Sequence, residues 1–359
     1  MMIMILIINI GGGNRSMCKK MIAIAALLLT IALIAACGRA NETSPQHSAT
    51  AAVESAPSQS APAESSSAAA ETPSQPAERT VSTVNGDVKI PAEPQRIAAT
   101  YYAGELAALG IRPAGTVTRL LGEASPNLAA YTQGTADIGN FPPSLEAIVA
   151  LDPDLILATD FDGIEYADYA KIAPTIVLPW SNDDVWTKLR TIGGLLGKEA
   201  EAESFISGYE SQASEAREKI QGAVGADETV SIIRFFGSSI RVYGGRDIGH
   251  AFYNGLQLAP PPKIAAEMAQ NLNFNSTENV ALEELPDYAG DRIFVVVTDE
   301  DGDKAYKEAQ KLSLWSELPA VKNGFVYELP ADKWFAYDPI SVQATLQGAV
   351  DILTAGKQQ

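Results

Sequence analysis

The sequence predicts an α/β protein of two Rossmann-like lobes. Each is built on a mostly parallel sheet, and one long rigid helix joins them, leaving a ligand cleft between the lobes. Three observations lead there. Short apolar strand segments alternate with helical ones from residue 95 onward, the pattern of βα units whose sheet is covered on both faces. The alternation runs once through 95–178 and again through 229–353. Between the two runs lies KEAEAESFISGYESQASEAREKIQ, with one interior glycine and no proline, long enough to act as a rod between two sheets.

Taken in chain order, the first feature is Met17-Cys18-Lys19-Lys20-Met21, followed by an apolar run over 21–36 that ends in small residues, a secretory signal pattern. The run is short of the roughly 20 residues a spanning helix needs. It closes on Leu33-Ile34-Ala35-Ala36-Cys37-Gly38, which resembles the bacterial lipobox and marks Cys37 as the residue lipidated after cleavage. The alternative is an uncleaved anchor helix with an incidental cysteine. Residues 1–16 are unlike a signal n-region, which points to Met17 as the translation start. From 38 to 78 the chain is almost entirely Ser, Ala, Pro, Gln, Glu and Thr with Val53 as its one larger aliphatic, too little apolar surface to offset ordering entropy. It reads as a disordered spacer with a reach of about 35 Å. His47 belongs to it.

The first lobe, 79–198, is expected to carry strands at 95–100, 114–117, 155–158 and 175–178. Its helices are expected at 103–109 (closed by Gly110), 144–151, 164–173 and 185–196. The joining helix spans 199–221, its apolar residues Phe205, Ile206, Tyr209, Ala213, Ala216 and Ile220 spaced for packing along one side. The second lobe, 222–359, has strand segments at 229–235, 240–243, 293–298 and 324–328 and helices at 248–256, 304–311 and 340–353. One continuous doubly wound domain is the alternative architecture.

Composition excludes several classes. The chain has 359 residues, 46% hydrophobic, with 44 acidic against 26 basic side chains and a net charge of −18. Cleavage before Cys37 removes Arg15, Lys19 and Lys20 and no acid, leaving −21. Such an excess argues against nucleic-acid binding, which needs basic surface to displace counterions. Two cysteines and two histidines rule out a disulfide framework and leave little for metal ligation or a His-dependent triad. There is no Gly-x-Ser-x-Gly elbow, P-loop or Cys–His constellation, so a secreted α/β hydrolase is a remote alternative. Asp299-Glu300-Asp301-Gly302-Asp303 reads as a solvated turn, its glycine too early for a calcium loop.

Across the folded region the chain resembles the iron-siderophore-binding lipoproteins that feed ABC importers. The resemblance rests on PAEPQRIAATYYAGELAALGIRPAG, DIGNFPPSLEAIVALDPDLILAT, KIAPTIVLPW, IGGLLGKEAEAESF, VYGGRDIGHAFYNGL, ENVALEELPDYAGDRIFVV and KWFAYDPISVQATL, in that order. It implies an extracytoplasmic, membrane-anchored binding protein, a monomer and not an enzyme. Such a protein captures a ferric siderophore and hands it to a permease dimer with an associated ATPase. It also implies no cofactor and no direct protein–metal ligand, because the siderophore supplies the iron's oxygens. Glu146 and Glu283, in the similar segments Leu145-Glu146 and Leu282-Glu283, match the exposed glutamates that bond permease arginines, with Glu284 as the alternative in the second lobe. A carboxylate in a helix's first turn is also favoured by the dipole alone.

Arg246, in Tyr243-Gly244-Gly245-Arg246, aligns with an arginine that hydroxamate-binding members aim at the iron-bound oxygens. Arg234 ends a strand, where an unpaired charge is costly to bury, so it either faces the cleft or pairs locally. Trp180 after a strand, Trp334 and Tyr337 in KWFAYDP, and Tyr101 and Tyr102 at the end of the first strand are candidate aromatic walls. His250 and Tyr243 read as packing residues. Few basic residues gather near these positions (Arg119 and Arg241 are the others), which favours hydroxamate or mixed hydroxamate–carboxylate complexes over triscatecholates. Haem or cobalamin on the same fold is the alternative, haem needing Tyr101 or Tyr102 as its ligand.

Overall fold

The computed structural model describes residues 77–180, 183–271 and 273–355. The signal segment, Cys37 and the spacer up to residue 76 lie outside the described residues.

The described chain opens with a hairpin that the sequence reading missed. Strands β1 (Glu78–Thr83) and β2 (Gly86–Pro91) pair antiparallel, with Val81 opposite Val88 and a two-residue loop of Val84 and Asn85. Val81, Val88 and Ile90 point into the first-lobe core. The alternation of TVSTVNGDVKI about Asn85-Gly86 is a hairpin pattern, hidden beside the low-complexity spacer.

The first sheet is fully parallel in the order β5-β4-β3-β6-β7. Its strands are β3 (Ile97–Ala99), β4 (Gly115–Thr116), β5 (Ala136–Asp137), β6 (Leu155–Thr159) and β7 (Thr175–Leu178). Strand alternation sends Ile97, Ala99, Leu155 and Leu157 to one core and Ala98, Ile156 and Ala158 to the other, so both faces are dry. The second sheet runs β10-β9-β8-β11-β12, from β8 (Val230–Phe236), β9 (Ser239–Tyr243), β10 (Ser276–Thr277), β11 (Arg292–Val297) and β12 (Val326–Leu329). β8, β11 and β12 are parallel, while β9 folds back on β8 as an antiparallel hairpin and β10 pairs antiparallel with β9.

The helix Glu199–Lys219 bridges the lobes. Ala202 and Ile206 in its first half belong to the first-lobe core; Tyr209, Ala213 and Ala216 in its second half belong to the second-lobe core. One rod therefore shares its buried stripe between two hydrophobic cores, which sets their spacing. The preceding helix, Val185–Leu196, does the same with Val185 on one side and Leu189, Ile192 and Leu196 on the other. The last helix, Pro339–Ala355, adds another tie: Ile340 packs with Ala103 and Leu128 of the first lobe, and Leu346, Ala349 and Val350 with the second.

Two second-lobe segments take a different form from the one expected, and the helix Pro262–Gln270 was not expected at all. The segment expected as a helix over 248–256 is a π-helical turn, His250–Gly255. The segment read as a solvated acidic turn begins the helix Glu300–Gln310, because Asp299 caps it by accepting from Gly302 N at 2.7 Å while also accepting from Gly237 N at 3.0 Å. Among the described residues no helix is long and apolar enough to cross a membrane.

Candidate ligand-binding cleft

In the first sheet Tyr101 and Tyr102 follow β3, Arg119 follows β4, Asp160 and Phe161 follow β6, and Trp180 follows β7. From the second lobe Arg246 and Asp247 follow β9, and Phe335, Tyr337 and Asp338 follow β12. All line one cleft of about 860 Å³. The loops after β3, β4, β6, β7 and β12 lie beyond the carboxyl ends of parallel strands, the general position for ligands on such sheets, and the loop after the antiparallel β9 joins them.

The first-lobe wall is a cluster of rings. Tyr101 lies 5.3 Å from Phe161 and 6.1 Å from Trp180, and Phe161 lies 5.3 Å from Trp180, all edge to face. Trp180 is 54% exposed and lines the cavity just beyond the buried Leu178, so its ring is offered to the cleft. Arg119 lies over the Tyr101 ring at 5.9 Å. Burial pushes the Tyr101 hydroxyl up to about 12, so it stays protonated. Tyr102 sits deeper, buried, its hydroxyl donating to Leu178 O at 3.0 Å.

Across the cleft, Arg246 lies between the Trp180 ring, 5.9 Å away, and the Tyr337 ring, 5.2 Å away. It thus meets aromatic groups of both lobes. Its loop depends on a close backbone approach: a Cβ at Gly249 would collide with Gly244 O, so the Gly-Gly-Arg-Asp-Ile-Gly turn tolerates no side chain there. Asp247 stands 3.8 Å from the Arg246 guanidinium. Burial raises the Asp247 carboxyl above its usual range, opposed by that arginine.

One expected wall residue lies elsewhere, and Arg234 takes the local-pairing alternative. Trp334 is buried, its ring stacked on Phe252 at 5.5 Å and against Gly348 in the second-lobe core. The reason is local: Ala331–Trp334 forms one short helical turn that directs Trp334 inward and leaves the next residue, Phe335, 43% exposed at the cleft. Arg234 is outside the lining as well and pairs locally. Its Nε donates to Thr298 Oγ1 at 3.0 Å and an Nη to Tyr243 Oη at 3.3 Å. Its guanidinium is sandwiched between Phe236 at 4.6 Å and Phe335 at 4.1 Å, so it braces the Phe335 wall from behind. Besides Phe335, the sequence reading missed Phe161, Glu105 and Asp338; an aromatic directly after a strand was the available signal for Phe161.

Glu146 and Glu283 are both exposed in the first turn of a short helix. Ser144 caps the first, accepting from Ala147 N and donating to Glu146 Oε2, each at 3.1 Å. Hydrogen bonds from its own backbone and from Ser144 hold the Glu146 carboxyl below the usual range. In the second, Glu284 turns back to accept from Ala281 N at 3.4 Å. Its neighbour Glu283 is left projecting.

Among the described residues no group of three or more His, Cys, Asp or Glu could hold a metal ion. A cleft between two α/β lobes on a shared helix, walled by rings and an arginine, defines a solute-binding protein. The chain belongs to the periplasmic binding protein family, whose model matches residues 106–333. It is 33% identical over 341 residues to the iron(3+)-hydroxamate-binding protein FhuD of Bacillus subtilis, covering 94% of this chain and 98% of the relative. It is 31% identical over 281 residues to YxeB, an iron(3+)-hydroxamate-binding protein of the same organism, covering 77% and 85%. Among solved structures it resembles the periplasmic binding protein component of a Fep/Fec-like ferrichrome ABC transporter from Bacillus subtilis. That match has a TM-score of 0.65 and 30% identity, with 76% of this chain and 98% of that one covered.

Proposed function

We propose that this protein captures a ferric siderophore of the hydroxamate type outside the cytoplasm and delivers it to an ABC importer. The observation that carries the reading is the cleft, lined by the rings of Tyr101, Phe161, Trp180, Phe335 and Tyr337, with Arg246 between Trp180 and Tyr337. A hexadentate siderophore already saturates its iron, so its receptor needs apolar walls and a hydrogen-bond donor for the iron-bound oxygens. The hydroxamate-binding relatives support the same reading. Two parts belong to the proposal and extend it: Cys37 carries a lipid that tethers the chain, and Glu146 and Glu283 bond arginines on the two permease subunits. Charge-assisted carboxylate–arginine bonds fix register across a transient interface.

Tryptophan fluorescence tests the reading, since Trp180 lies on the cleft wall. Titration with a ferric trihydroxamate should quench it saturably, and Arg246→Ala should weaken that binding by about tenfold or more, as loss of a charged hydrogen bond does. Saturable binding of haem or cobalamin with no response to any ferric siderophore would overturn the proposal.

A further inference from the structure

The cleft holds more acid than a neutral cargo requires. Glu105, Asp160, Asp183, Asp247, Asp332 and Asp338 line it against three cations, Arg119, Lys188 and Arg246. Lys188 stands 4.0 Å from Asp183 and Arg246 3.8 Å from Asp247, so two cations already face acids. Glu105 differs from the other acids. It is 5% exposed, it lines the cavity, and its carboxyl takes a hydrogen bond from its own backbone. It comes from the first-lobe helix Ala103–Ala108. Asp338 comes from the second lobe, held by Ser341 N at 3.0 Å and Ser341 Oγ at 2.7 Å, and its carboxyl presses on Gly104, where a Cβ would collide with it. Two lobes therefore bring two carboxyls to one desolvated floor, where burial and the neighbouring carboxyl disfavour ionising both, and an uncharged ligand does nothing to change that.

We propose that Glu105, with Asp338 behind it, makes the cleft select ferric complexes bearing a pendant alkylammonium over neutral complexes with the same iron–hydroxamate core. The inference rests on the ferric hydroxamate reading and deepens it. Burial, with Asp338 adding to it, pushes the Glu105 carboxyl up to about 8, so the empty cleft carries it protonated at neutral pH. An ammonium brought against it favours the ionised form; the carboxyl's proton leaves to solvent and a charge-assisted hydrogen bond forms. The other groups facing Glu105 are Lys188, which acts in the same sense as the ligand cation, and the hydroxyls of Tyr101 and Tyr102, which burial keeps neutral. By linkage, affinity for the cationic complex rises with pH up to about 8 and then levels, whereas affinity for the neutral complex lacks this rise.

The test uses the full chain and two ferric trihydroxamates that differ only in a terminal amine, free or N-acetylated. Tryptophan quenching is followed between about pH 6 and 9, a range over which an alkylamine of pKa near 10 stays charged. The free-amine complex should bind about tenfold more tightly at the alkaline end, with the ratio shrinking toward acid. In Glu105→Gln the ratio should fall to about one and lose its pH dependence. Equal affinities at the alkaline end, or a preference and pH profile unchanged in Glu105→Gln, would overturn the proposal. Should the variant not fold, the pH profile of the ratio in the unaltered protein decides. Failure of both complexes to bind would instead overturn the hydroxamate reading itself.

Discussion

His250 is packed among the rings of Trp186, Tyr209 and Tyr337, with centroids 5.8, 6.0 and 5.7 Å away. Asn254 Nδ2 lies 3.2 Å from its Nδ1, which places the proton of the neutral ring on Nε2. Neither Nε2 nor the Tyr209 hydroxyl has a hydrogen-bond partner among the described residues. Burial lowers the imidazole from 6.5 to about 4, so the folded protein favours the neutral ring. The unfolded chain then binds the extra proton first, and stability is full above about pH 6.5 and lost as pH falls toward 4, by up to about 3 kcal/mol. Thermal unfolding across that window should show the loss, and His250→Phe should flatten it; an unchanged slope would exclude this histidine as the cause. Gly104 supplies a second prediction at this scale. Its bare Cα admits the Asp338 carboxyl, so Gly104→Ala should destabilise by about 1–3 kcal/mol, measured by denaturant titration.

The segment after β12 shows how one short element divides its aromatics. The turn Ala331–Trp334 buries Trp334 against Phe252 and presents Phe335, braced by Arg234, to the cleft. Two substitutions should therefore separate folding from binding. Trp334→Ala opens a cavity in the second-lobe core and should cost roughly 3–5 kcal/mol of stability. Phe335→Ala removes a 43% exposed ring and should leave the melting temperature nearly unchanged while weakening ligand affinity. If Trp334→Ala kept its melting temperature and lost only affinity, the assignment of the two rings would be reversed.

At the scale of the whole molecule, the helix Glu199–Lys219 and the contact of Ile340 with Ala103 and Leu128 tie the lobes at separate places. Asn127 Nδ2 adds a bond to Lys333 O at 2.7 Å. A molecule so braced is expected to rock by small shear movements rather than close on a wide hinge. In the function proposed above, delivery would then rely on docking surfaces that are present before and after capture. Replacing both Glu146 and Glu283 with alanine should abolish uptake in cells while leaving ligand affinity intact. Lost affinity in the double variant would contradict a docking role.

The two sheets, the joining rod and most strand positions were legible from residue order, because apolar periodicity and helix-compatible runs are local properties. Tyr101 and Trp180 were legible because each follows a strand, whereas Arg246 and Tyr337 were named through the family motifs Tyr243-Gly244-Gly245-Arg246 and KWFAYDP; all four line the cleft. The hairpin β1–β2 was obscured by the spacer beside it, and the fates of Trp334, Phe335 and Arg234 depended on rotations about a helical turn and a strand that pattern alone does not reveal. Glu105 is the clearest case. By sequence it is one more acid in the first turn of a helix, where the dipole alone would account for it. Only the tertiary structure, by bringing Asp338 from the other lobe onto Gly104 and excluding water, turns it into a protonated group on the floor of a cleft. Local sequence determined the elements and the strand-end positions of the site; burial and inter-lobe proximity, which are long-range, decided its charge.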